Sequence, residues 1–136
     1  MGAMQRRKGA RFEVAVGKAF ATVYPDAKRG IGQARSASEV PDVTGTPFWP
    51  ECKRGAGSTA DAALAQASKA RKAGWGPPVA VVRRDKKRAT ATMYLDDFLL
   101  LLAGPDASEE QRERIRAAVR AAETDGRVAP GKKKTP

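Results

Sequence analysis

The feature that most constrains the fold is a short apolar run rich in β-branched residues, Pro78–Arg83. Runs of this kind are typical of buried strands. Residues 89–95 alternate in polarity and predict a strand that pairs with it. Residues 40–44 and 48–53 predict two further short strands, and Pro50 indicates an edge position or a bulge in the second of them. The sequence therefore predicts a small mixed β-sheet.

Helical patterns alternate with these strands. The first predicted helix covers residues 9–23, and the second runs from a cap at Ser58 or Thr59 to about residue 72. The third begins at Asp96. The fourth follows Pro105 and begins with a capping box of Ser108 and Gln111. This order of elements predicts an α/β fold in which α-helices flank the small mixed sheet.

A chain of 136 residues can build one hydrophobic core. We predict a single domain over residues 1–125, in which residues 1–3 read as the remainder of an expression tag. Residues 126–136 are basic and predict a disordered tail.

Composition excludes several kinds of chemistry. The chain has no histidine, which removes histidine-based triads and histidine-based metal hydrolysis, and its single cysteine, Cys52, excludes an internal disulfide and multi-cysteine zinc sites. The net charge of +11 favours a polyanionic partner, and nucleic acid is the leading candidate. The longest wholly apolar stretch, residues 98–103, is too short to span a bilayer, so we expect no membrane contact and a cytoplasmic protein.

Three charged residues fall on the two short strands at a spacing that favours phosphodiester chemistry. Glu51 and Lys53 point to one face of a strand while Cys52 points to the other, and a hairpin would bring Asp42 alongside Glu51. Two carboxylates suit Mg²⁺, and a lysine beside them can orient a nucleophile or offset developing charge. Glu13, on the first predicted helix, adds a third carboxylate.

The sequence resembles the archaeal-type Holliday junction resolvases of the PD-(D/E)XK nuclease superfamily. The resemblance covers about residues 6–55 and rests on four motifs: Arg7-Lys8-Gly9-Ala10 followed by Glu13, Arg35-Ser36-Ala37-Ser38, Pro41-Asp42-Val43, and Glu51-Cys52-Lys53. It implies a restriction-endonuclease-like core, an Mg²⁺-dependent endodeoxyribonuclease activity in which Mn²⁺ can substitute, and a metal site formed by Glu13, Asp42 and Glu51 with Lys53 beside it.

The resemblance also implies roles for three polar residues. A loop serine contributes to cleavage in that family, and the spacing to the aspartate selects Ser38, with Ser36 as the alternative. Gln66 resembles a glutamine that supports the metal site in phage and RecB-like relatives. Pro50 and an extra C-terminal helix depart from the archaeal-type pattern, and the match weakens after Lys53.

Basic residues cluster in five runs, at residues 6–8, 28–35, 69–72, 83–88 and 132–134, as a phosphate-binding surface requires. The residues predicted to contact DNA are Arg7, Lys8, Arg29, Arg35, Ser36, Arg54, Arg83 and Arg84. We expect branched or duplex DNA as the partner and a homodimer that places two sites on a four-way junction. The alternatives are another nuclease of the same fold, such as a virus-type repair nuclease or a RecB-like enzyme, and a non-catalytic basic DNA-binding protein.

Overall fold

A computed structural model describes residues 3–31 and 40–124 of the chain. The elements follow the order α1 (Ala3–Ala21), β1 (Lys28–Arg29), β2 (Val43–Thr44), β3 (Trp49–Arg54), α2 (Ala60–Ala70), β4 (Pro78–Arg83), β5 (Thr90–Thr92), α3 (Leu95–Ala103) and α4 (Glu109–Thr124). They form two compact units, residues 1–93 and 94–136. The single domain predicted over residues 1–125 stays a prediction, and the predicted disordered tail lies outside the described residues.

The main sheet of the first unit has the strand order β3, β4, β5. β3 runs parallel to β4, and β4 runs antiparallel to β5, so the predicted mixed sheet is confirmed. The central strand is Pro78–Arg83, whose residues from Pro78 to Val82 are all buried, as its apolar composition predicts. β3 lies at an edge of this sheet, which agrees with the position expected from Pro50.

The two faces of the sheet carry separate apolar clusters. On one face, Val79 and Val81 pack with Cys52 and with Val16 of α1. On the other face, Ala80 and Val82 pack with residues of α2. Because successive side chains of a strand alternate between faces, this run of β4 supplies both clusters, and the sheet lies between α1 and α2. The fold is therefore α/β, with helices on both faces of the sheet.

A smaller antiparallel pair, β1 with β2, lies beside the edge strand β3. The predicted hairpin between residues 40–44 and 48–53 is present only in part, because β2 and β3 belong to different sheets. Pro50 gives a physical reason, since it has no backbone N–H to donate to a neighbouring strand. The turn between them contains Gly45, whose φ of +80° and close approach to the carbonyl of Asp26 require glycine.

The helices agree with the sequence pattern except at their ends. α1 begins at Ala3 rather than near residue 9, because the residues before the apolar stripe, Met, Gln, Arg, Arg and Lys, are good helix formers. Thr59 caps α2, since its hydroxyl accepts a hydrogen bond from the Ala62 N–H at 3.2 Å. The predicted cap of the last helix is also present, because the Ser108 hydroxyl accepts a hydrogen bond from the Gln111 N–H at 3.0 Å.

The second unit consists of α3 and α4, which contact each other. α3 contains no buried residue, although seven of its nine residues are leucine, phenylalanine or alanine. α4 buries Val119, and ion pairs form along its polar face, where Arg116 contacts both Glu109 and Glu113. Across residues 3–31 and 40–124, no helix combines the length and apolar character needed to cross a membrane.

Candidate active site

Strand β3 carries the two charged residues that the sequence analysis placed on one face. Glu51 is almost completely buried, at 8% exposure, and its Oε2 lies 3.4 Å from the Nζ of Lys53. Cys52 points to the opposite face and packs into the core, as predicted. The register places Glu51 beside Ala80 and Lys53 beside Val82, so both charged side chains lie on the face that α2 covers. Cover by α2 explains why this carboxylate is buried.

Asp42 is fixed at the edge of β3 by two hydrogen bonds. Its backbone N–H donates to the carbonyl of Pro50 at 3.0 Å, and its carboxylate Oδ2 accepts from the N–H of Cys52 at 2.8 Å. These two partners flank Glu51 in sequence. A regular hairpin is therefore not needed to bring Asp42 alongside Glu51, because the side chain of Asp42 takes the place of a missing strand partner.

Glu13 approaches the same region from α1. Its Oε1 accepts a hydrogen bond from the Nε of Arg29 at 2.8 Å, and its side chain is only 22% exposed. The negative charge of Glu13 raises the pKa of both Asp42 and Glu51, which places it within electrostatic reach of the two. Glu13 is thus close enough to the other two carboxylates to affect their pKa values, while its own carboxylate is paired with Arg29.

The pKa values of the two carboxylates on the sheet edge are strongly displaced. Burial raises the pKa of Asp42 to about 6, against the opposing hydrogen bond from Cys52. Burial and the charge of Asp42 raise the pKa of Glu51 to about 7, and Lys53 offsets part of this effect. Carboxylates that are buried side by side resist ionisation because each charged form is poorly solvated and repels the other. Groups with displaced pKa values are frequent at functional sites.

The donor set suits a hard divalent cation such as Mg²⁺, which prefers carboxylate oxygens. Asp42 and Glu51 fit this requirement, because a cation between them would relieve the repulsion that raises their pKa values. However, within the described ranges no three acidic or cysteine side chains form a ready ligand group for a metal ion. The carboxylate of Glu13 is paired with Arg29 at 2.8 Å.

The remaining predicted site residues include Ser36, Ser38, Arg35 and Gln66. Ser36, Ser38 and Arg35 lie outside the described residues. Gln66 is exposed on α2, and among the residues that the structure describes it forms no hydrogen bond with Asp42, Glu51 or Lys53.

The predicted DNA-contacting cations fall into two groups. Three are held within the protein: Arg29 pairs with Glu13, while Arg54 and Lys8 both contact the Oδ1 of Asp85, at 2.6 Å and 3.5 Å. Arg7 and Arg84 are exposed and Arg83 is partly so, and Arg84 donates from Nε to the carbonyl of Ala56 at 3.3 Å.

Sequence reasoning missed the role of Asp85. A lone acidic residue within the basic run of residues 83–88 was the signal, because it favours an ion pair, and the structure forms this with Lys8 and Arg54 from other parts of the chain.

The comparisons with known proteins find no match for this chain among protein-family models, curated proteins or solved structures.

Proposed function

We propose that the protein is a metal-dependent DNA endonuclease with a PD-(D/E)XK core, and that it resolves four-way DNA junctions. The observation that carries this proposal is the convergence of Asp42, Glu51 and Lys53 on the edge of β3, where both carboxylates have raised pKa values. A net charge of +11 supports a polyanionic substrate. The order of Glu13, Asp42, Glu51 and Lys53 along the chain supports the superfamily.

Each residue has a task that follows from its position. Asp42 and Glu51 would hold Mg²⁺, with Glu13 as a further ligand once its ion pair with Arg29 opens. A divalent cation in such a site supplies Lewis-acid stabilisation of the negative charge that develops on a phosphodiester. Lys53 lies 3.4 Å from Glu51, where its ammonium can bind the scissile phosphate or orient the attacking water. Arg29, released from Glu13, becomes available to a DNA phosphate.

A second candidate function is a basic DNA-binding protein without catalytic activity. One observation favours it: Glu13 and Glu51 both form ion pairs with cations of the chain, which is also what structural carboxylates do.

The test is incubation of the purified protein with labelled four-way junction, linear duplex and flap DNA, in Mg²⁺, in Ca²⁺ and in chelator. We expect symmetric nicking of the junction in Mg²⁺ and binding without nicking in Ca²⁺, because Ca²⁺ accepts longer and less strictly arranged ligands. Cleavage of duplex or flap instead would retain the nuclease and reject junction resolution. Binding with no cleavage in Mg²⁺ or Mn²⁺ would favour the non-catalytic candidate.

A further inference from the structure

A cleft of about 340 Å³ opens between the start of α2 and the turn that joins β4 to β5. Its polar lining consists of Ser58, Thr59, Arg84, Lys87, Arg88 and Thr90. Val82 also lines the cleft, and its register partner on β3 is Lys53. The cleft therefore lies on the α2 side of the sheet, one strand away from the candidate active site.

The charge in this cleft is positive and is not balanced by a carboxylate. Arg84, Lys87 and Arg88 contribute three cations, and no acidic residue belongs to the lining. The acidic residue of the same turn, Asp85, is instead engaged by Lys8 and Arg54. Among the ion pairs of the described residues, none includes any of the three cleft cations. Such a cleft attracts an anionic ligand from outside the chain.

The turn that presents these cations has a defined conformation. The N–H of Lys87 donates to the carbonyl of Arg84 at 3.0 Å, and Lys86 between them adopts a φ of +61°. Arg84 is anchored on the other side, because its Nε donates to the carbonyl of Ala56. A turn fixed in this way presents cations with less loss of conformational freedom on binding.

The hydroxyl groups of the lining add the donors that an oxyanion needs. The Thr59 hydroxyl accepts a hydrogen bond from Ala62, and a hydroxyl that accepts can also donate its own proton. Ser58 offers a second hydroxyl donor at the same cleft, while the hydroxyl of Thr90 donates its proton to the carbonyl of Val82 at 3.4 Å. Two lysine or arginine charges together with hydroxyl donors match the tetrahedral oxygens of a phosphate group.

We propose that this cleft binds a backbone phosphate of the DNA near the scissile phosphodiester, with Lys87 and Arg88 as its principal cations. The inference rests on the proposed function, since it names a contact that would fix the strand relative to Lys53. Contacts of this kind fix the register of a duplex without reading its sequence. Lys87 and Arg88 would then determine affinity and placement, while Asp42 and Glu51 carry out the chemistry.

The first test uses inorganic phosphate and the full chain. We expect a phosphate titration, at constant ionic strength set with chloride, to shift the backbone NMR signals of residues 58–60 and 87–88 in a saturable manner. The double variant Lys87→Gln with Arg88→Gln should lose this response. Shifts that do not saturate, or that are the same in the variant, would overturn the inference whether or not the protein cuts DNA.

The second test measures DNA affinity against salt in Ca²⁺, so that no cleavage occurs. Each phosphate neutralised contributes about −0.9 to the slope of log K against log salt, so the double variant, which loses the contact with one phosphate, should show a slope that is shallower by about 0.9. The matched control is Lys18→Gln with Arg114→Gln, which removes the same charge from exposed positions on α1 and α4, outside the basic runs, and should keep the slope. Equal slopes in the two double variants would reject phosphate binding by this cleft without contradicting the proposed nuclease function. Absence of cleavage by the wild-type protein in Mg²⁺ would instead reject the proposed function.

Discussion

At the scale of single residues, the carboxylates of Asp42 and Glu51 decide the electrostatics of the candidate site. The period of a strand predicts that Glu51 and Lys53 share a face, and the structure confirms it. The burial of Glu51 to 8% exposure could not be predicted, because it depends on the cover supplied by α2. The ion pair between Glu13 and Arg29 could not be predicted from the sequence either, since the two residues are 16 positions apart on different elements.

The raised pKa values predict how the stability of the metal-free protein depends on pH. Between about pH 4 and pH 7 the folded state binds more protons than the unfolded state, because folding raises the pKa of Asp42 from 3.8 to about 6 and that of Glu51 from 4.5 to about 7. The free energy of unfolding should therefore fall as pH rises through this window, by on the order of 3 kcal/mol for each of the two groups, and then level off.

Chemical denaturation in chelator at several pH values between 4 and 8 measures this slope. Asp42→Asn should flatten it, because the variant removes one titrating group and part of the charge that displaces Glu51. Asp26→Asn, at an exposed position, should leave it unchanged. A wild-type stability that rises steadily between pH 5 and pH 7 would contradict the assigned burial of this pair.

At the scale of elements, periodicity predicted the strands and helices and also the pairing of β5 with β4, while the predicted pairing of β2 with β3 is found only in part. The apolar run of β4 and the capped start of α2 were predictable because local sequence fixes both. The hairpin predicted between β2 and β3 is present only in part, because Pro50 has no N–H to donate and the Asp42 carboxylate, rather than a strand carbonyl, accepts from the N–H of Cys52. A side chain that substitutes for a strand partner leaves no periodic signal in the sequence.

The turn between β4 and β5 allows a test of whether Lys86 is held in a left-handed backbone conformation. Lys86 has a φ of +61°, a left-handed conformation that costs roughly 1 kcal/mol for a residue with a β-carbon and more for a β-branched one. We expect Lys86→Val to lower the free energy of unfolding by about 1 to 2 kcal/mol, and Lys86→Gly to leave it equal or slightly higher. Thermal or urea unfolding checks both. A valine variant as stable as the glycine variant would show that the turn is not held in this conformation.

At the scale of the whole molecule, the homodimer predicted from the sequence remains the main open prediction. α3 offers an apolar surface for it, since Phe98, Leu101 and Leu102 are all exposed. We expect light scattering at micromolar concentration to give about twice the 14.5 kDa of one chain, and Leu102→Glu to shift the mass toward one chain. Ala121→Glu, at an exposed alanine of α4, is the matched control. A wild-type mass of one chain that junction DNA does not change would reject symmetric resolution.

The most direct test of metal-dependent cleavage at the edge of β3 compares Asp42→Asn with Asp26→Asn on labelled junction DNA in Mg²⁺. Asp42→Asn removes a carboxylate from the proposed metal site and makes the protein no less positive. It should therefore reduce cleavage by at least about a hundredfold while binding junction DNA as tightly as the wild type. Asp26→Asn should cut and bind like the wild type. Cleavage by Asp42→Asn at the wild-type rate would contradict the account.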